Sequence, residues 1–269
     1  MEHSVSFKEA SFRKRLSSML RVDLRRAVRS LVVYILIACA FFMPLLMTVM
    51  MSMMDGMEST NPQTNEVTIL NGPENTWQNI GTLPGSETMG GMDVFAMCNI
   101  NMMFMAVAVF VCLFISDDFR SGYAKNLFTV RAKRGEYVIS KIIMGFLVGA
   151  VMLIAYMIGS ILGGAISSLS FDLMGLSVGN LVMCLLSKIF LMLVFVSIFT
   201  LISVAAKQRA WLAICGSLGG GMLLFMTVGM ISPLSATPMH VLLCLVGGVL
   251  FATGLGFAAI KVLQTTSVV

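Results

Sequence analysis

Six cysteines, two histidines and 25 methionines are the side chains of this 269-residue sequence best suited to hold a metal or carry a nucleophile. Their spacing supports neither role. Cys39, Cys98, Cys112, Cys184, Cys215 and Cys244 all fall in or beside apolar runs, and none pairs at CxxC spacing. A disulfide framework or zinc site is therefore not expected, and they read as small apolar fillers. His3 and His240 lie outside the apolar runs, and no HExxH occurs. A serine or metal hydrolase inside a membrane would have no base to work with. No G-x-x-x-x-G-K followed by Ser or Thr is present either, so the chain holds no phosphate loop of its own.

The methionines cluster. Met43, Met47, Met50, Met51, Met53, Met54 and Met57 crowd one stretch, and Met89, Met92, Met97, Met102, Met103 and Met105 another. Thioethers are soft ligands for Cu(I), they also form adaptable linings for greasy molecules, and most simply they pack. The sequence leaves all three open, with Met47, Met51, Met54, Met102 and Met105 as candidates to line a pathway.

These residues must be positioned by helices in lipid. Hydrophobic residues make up 58% of the chain, charged ones 12%, and the mean hydropathy is +0.92. A soluble domain carries roughly twice that charged fraction, so too little polar surface remains to wrap a water-soluble globule. The fold class expected is all-α: a polytopic helical membrane protein with six transmembrane helices and an N-terminal amphipathic interfacial helix. About 20 residues cross the hydrocarbon core. The spans fall at about 31–54, 94–116, 142–169, 189–206, 210–230 and 241–260, with an outer segment at 55–93 and a connector at 117–141. In this layout Lys188 snorkels to the head groups at the edge of the fourth span. The first apolar run is too long for a signal h-region and is expected to stay as an anchor.

Charge placement orients the stack. Eight Lys and Arg precede the first span, six lie between Arg120 and Lys141, and Lys207, Arg209 and Lys261 fall on the same side, making seventeen of eighteen. The other side holds seven acids: Asp55, Glu58, Glu66, Glu74, Glu87, Asp93 and Asp172. By the positive-inside rule both termini are expected in the cytoplasm of a multi-pass plasma-membrane protein. The basic excess is then a topology signal, and no nucleic-acid partner is implied.

Residues 1–30 form the expected elbow. Phe12, Leu16, Leu20, Leu24 and Val28 recur every four residues among arginines, which suits a helix lying in the head-group layer. In the connector, Gly122 can break the helix leaving the membrane, and Tyr123 to Arg131 could make two turns carrying Tyr123, Leu127 and Val130 on one side. Such a helix is a handle for a soluble partner; it could equally be an ordinary basic loop. The outer segment is either a small folded cap or a solvated loop. Small residues four apart, Gly145 with Gly149, Gly159 with Gly163 and Gly216 with Gly220, allow helix backbones to approach closely.

The elbow helix, the six spans, the large outer segment and a connector carrying Asp117, Asp118, Gly122, Arg134 and Lys141 together resemble permease subunits of type-2 ABC exporters. The resemblance implies that residues 123–129 form a coupling helix seated on a cytoplasmic ABC ATPase subunit, with Asp118, Gly122, Tyr123, Leu127, Phe128, Arg131 and Arg134 as docking residues. It implies a second permease copy or a related permease, ATP and Mg bound in the partner chain with no cofactor in this one, and transport rather than catalysis. Its short 231–240 outer turn departs from relatives that place a re-entrant element there. A non-transporting scaffold and an ion-coupled carrier are the alternatives. The near absence of ionisable groups in the spans argues against the carrier.

Overall fold

The computed structural model describes residues 11–60, 67–69, 72–81, 99–129 and 134–265. Its helices are α1 (Phe12–Arg29), α2 (Leu31–Met53), α3 (Met102–Arg120), α4 (Tyr123–Thr129), α5 (Arg134–Ile166), α6 (Val178–Ala206), α7 (Ala210–Ile231) and α8 (Pro238–Thr265). The only strands among the described residues are β1 (Glu58–Thr60) and β2 (Val67–Ile69), paired antiparallel in one small hairpin. Five helices (α2, α3, α5, α6 and α8) are long and apolar enough to cross a membrane, and α7 adds 22 further apolar-rich residues. The protein is a polytopic helical membrane protein.

The helix bounds differ most from the expected spans at the start of the fourth. The fourth span starts at Val178 rather than 189, because the residues from Leu181 to Leu186 continue the helix and Ser177 caps it through the Asn180 N–H. Lys188 therefore lies about 15 Å inside the helix start, at 1.5 Å per residue.

α5, with 33 residues, is the central post and packs against α1, α2, α3, α6 and α8. Two of the glycine pairs explain how. A Cβ at Gly145 would lie 2.6 Å from Val196 Cγ1, and one at Gly149 would lie 2.8 Å from Met192 Cγ, so this stripe seats α6. At Gly159 an added Cβ would run into the carbonyl oxygen of Phe41, and at Gly163 it would stand 3.0 Å from Leu45 Cα. This second stripe seats α2 beside Pro44. A Cβ at Gly216 would stand 3.2 Å from Ile202 Cγ2, and one at Gly220 would make only ordinary contacts, 3.6 Å from Ile202 Cδ1 and 3.9 Å from Ile198 Cγ2. Gly159→Ala is accordingly expected to cost about 1–3 kcal/mol as an overpacked contact against backbone. The change should appear as a lower thermal midpoint in detergent, while Gly220→Ala leaves the midpoint within error.

α1 turns two faces outward and inward at once. Met19, Asp23 and Ala27, spaced by four, are buried against the bundle, whereas Phe12, Leu24 and Val28 of the neighbouring stripe remain about half exposed. Of the apolar stripe read from the sequence, these three residues are left free for lipid, while Leu16 is half-buried and Leu20 packs against the core. Leu223, Met230 and Phe257 on α7 and α8 are more than 70% exposed and have only lipid or another chain to cover them.

Opposite α1, residues 72–81 make a folded cap. Trp77 is buried, its Nε1 donates to the Phe171 carbonyl at 3.0 Å, and Asn75 Nδ2 donates to the Asp172 carbonyl at 2.6 Å. Asn79 Nδ2 reaches Thr48 Oγ1 on α2 at 2.7 Å. Of the two outcomes open for the outer segment, this part is a cap. The polar side chains that suggested a solvated loop are used to pin it down.

Candidate functional site

The densest polar chemistry in the described residues sits where α1, α3 and α5 meet, directly beneath α4. Asp23 of α1 and Asp118 of α3 are both fully buried. Lys141 of α5 lies between them, its Nζ 2.9 Å from Asp23 Oδ1 and 2.7 Å from Asp118 Oδ2. Arg26 Nη1 stands 2.5 Å from Asp118 Oδ1, and Arg26 Nη2 reaches the more exposed Asp117 at 3.3 Å. Ser140 Oγ donates to Asp23 Oδ2 at 2.6 Å, and Tyr137 Oη donates to Asp118 Oδ2 at 3.0 Å. The two buried carboxylates thus face two cations, with their remaining lone pairs filled by hydroxyls. Such satisfaction is what makes buried charge tolerable.

Aromatic rings wall the cluster. Lys141 Nζ lies 4.2 Å from the Phe114 ring centroid, and Arg26 Cζ lies 4.5 Å from that of Tyr123, within cation–π range. Burial, and then the carboxylates of Asp23 and Asp118, push the Tyr123 phenol above its usual value. Tyr123 therefore remains a neutral ring over Arg26 at physiological pH.

From this base the chain turns out into α4. Gly122 has φ +75°, a left-handed conformation glycine adopts without the Cβ clash, and an added Cβ would meet nothing within 4 Å. The break separates α3 from a seven-residue helix whose bounds coincide with the expected 123–129. On α4, Ala124 is fully buried and Leu127 and Phe128 are partly buried against the core, which leaves Lys125, Asn126 and Thr129 exposed. Arg134, expected as a docking residue, is the first residue of α5. Its guanidinium donates to the Leu263 carbonyl near the end of α8 and lies over the Phe128 ring. Arg15 of α1 pairs with Glu136 of α5 at 2.9 Å.

The expected docking residues therefore divide. Gly122, Tyr123, Leu127 and Phe128 belong to the handle or its hinge, whereas Asp118 and Arg134 are turned into the bundle and hold its base. Asp118 is a correction: fully buried, it offers no surface to another protein. Arg131 lies outside the described residues. Sequence reading missed Asp23, whose signal is that it is the single acid in the arginine-rich stretch 12–29 and shares the stripe of Met19 and Ala27.

Of the five methionines expected to line a pathway, Met47 and Met51 are half-buried on α2. Met105 Sδ packs over Gly221 of α7, Met102 lies at the core margin, and Met54 is 39% exposed at the end of α2. Lys188 is also corrected. It does not reach out to the head groups but is 1% exposed, its Nζ donating to Asn101 Oδ1 at 2.8 Å and to the Ser232 carbonyl at 3.2 Å. The elongated helix carries it inward, and the ends of α3 and α7 supply the acceptors.

A helical membrane bundle with a short helix mounted on an ion-paired base is the architecture of a polytopic membrane protein. The family of ABC-2 transporter proteins matches residues 24–219, from within α1 to within α7, and the chain belongs to it. It is thus the permease, the membrane transport component, of an ABC system. No curated protein and no solved structure matches the chain significantly.

Proposed function

We propose that this permease serves ATP-driven export, with its basic end in the cytoplasm and α4 as the element that docks a separate ABC ATPase subunit. The observation that carries the reading is the mounting of α4. It is set off by Gly122 at one end, and its base is bound through Asp118, Lys141 and Arg26 to three different helices. A push on α4 is thereby delivered to α1, α3 and α5 together. The one-sided distribution of Lys and Arg supports the orientation. Two copies, or this chain with a related permease, would enclose the pathway, and exposed apolar faces on α2, α7 and α8 are available for that contact. The cargo is amphipathic, a peptide, antibiotic or lipid-like molecule, since the spans present little fixed counter-charge.

The test is co-purification from the native host. Wild-type protein is expected to bring down a stoichiometric ATPase. Lys125→Glu combined with Asn126→Arg, both at exposed positions of α4, should weaken that association about tenfold, or roughly 1.4 kcal/mol, without moving the thermal midpoint. Leu127→Asp alone is a poorer probe because Leu127 also packs inward. Undiminished ATPase recovery from the double variant would remove α4 from the docking surface.

A further inference from the structure

At the basic end a cleft of about 390 Å³ opens between the start of α2, the last turns of α3 and the α6–α7 turn. One wall is apolar and made by Val32, Phe110, Leu113 and Phe114, while Arg26, Arg120 and Gln208 supply its polar lining. A second hollow of about 630 Å³ shares Arg120 and Gln208 and adds Lys125, Lys207 and Arg209. The two hollows together carry five cations against one carboxylate, Asp117, which already accepts from Arg26 at 3.3 Å. Arg120 is exposed and makes no ion pair among the described residues.

A concentration of positive charge around a concavity selects an anionic ligand. The apolar wall adds a second requirement. An inorganic anion or a nucleotide would satisfy the cations and leave Phe110, Leu113 and Val32 bare, whereas an acyl chain would cover them. We propose that this cleft binds the phosphate head group of an anionic phospholipid. Arg120 and the neighbouring cations hold the phosphate, and the acyl chain lies between α2 and α3. The assignment does not depend on ATPase docking.

The probe is spin-labelled phosphatidylglycerol against spin-labelled phosphatidylcholine, with the full-length chain in phosphatidylcholine nanodiscs at physiological ionic strength. Wild type should prefer phosphatidylglycerol, and Arg120→Gln should lower that preference about fivefold, the weight of one cation near a lipid surface. Arg13→Gln with Arg21→Gln, two charges lost from the exposed face of α1, should retain it. Absence of a preference in wild type overturns the proposal. So does equal loss in the α1 variant, which would reduce the effect to bulk surface charge. Displacement of the labelled lipid by millimolar inorganic phosphate would overturn the lipid assignment in favour of a soluble anion.

Discussion

Lys141→Met is expected to lower the apparent thermal midpoint of the detergent-solubilised protein by roughly 6–20 °C, the equivalent of about 3–5 kcal/mol. Methionine keeps the length and the contact with Phe114 but removes the charge standing between Asp23 and Asp118. Those two fully buried carboxylates would then share Arg26, which lies 2.5 Å from Asp118 and 3.9 Å from Asp23. One anion would be left uncompensated in a site closed to water, and that imbalance, more than the lost pair, sets the size of the effect. Adding Asp23→Asn restores the balance, and the amide can still accept from Ser140. The double variant should therefore recover more than half of the lost midpoint, a coupling that separate, independent sites would not show. A Lys141→Met protein as stable as wild type, or a double variant worse than the single one, would mean that the cluster is not the ionic hub its distances describe.

That hub was only half legible in the sequence, and the reason is physical. The handle could be read because its signals are local: an acid pair, a glycine suited to positive φ, then a short helical stretch before the next apolar run. α1 could be read because its apolar residues recur every four positions. The contact between Asp23 and Lys141 spans 118 positions, and no local pattern encodes which face of α1 meets α5. The apolar stripe drew attention, yet the stripe beside it carries the buried acid. Asp118 and Arg134 read as outward-facing from sequence, because a charge in a connector looks solvated until its partners are known, whereas both turn into the bundle. The glycine pairs show the same limit. Gly145 with Gly149 and Gly159 with Gly163 make close helix contacts while Gly216 with Gly220 does not, and spacing alone cannot separate them. Lys188 misled for a related reason: a lysine in an apolar run looks like the run's boundary. Here it is an interior side chain whose acceptors come from two other helix ends.

The Lys188 site yields the second large effect. Its amine ties α6 to Asn101 at the start of α3 and to the Ser232 carbonyl at the end of α7. Ser232 Oγ is in turn 2.6 Å from Ser187 Oγ, so the tie continues back to α6. Asn101→Leu removes one of the two acceptors and leaves a buried amine short of partners, at a cost of roughly 3 kcal/mol. Lys188→Met should cost less, because it leaves only neutral acceptors unmet, and the side chain is close to isosteric along its stem. Combining the two removes donor and acceptor together, and the midpoint should return above that of Asn101→Leu alone. This ordering distinguishes a hydrogen-bonded cross-tie from simple packing, under which the double variant would be the least stable of the three. The tie sits at the end opposite α4, and in the export cycle proposed above outward opening would part α3, α6 and α7 there. Weakening it by Lys188→Met should therefore increase the reactivity of a cysteine introduced at Ser187 toward a membrane-impermeant maleimide. Unchanged labelling alongside a lowered midpoint would confine Lys188 to stability and leave outward opening to other contacts.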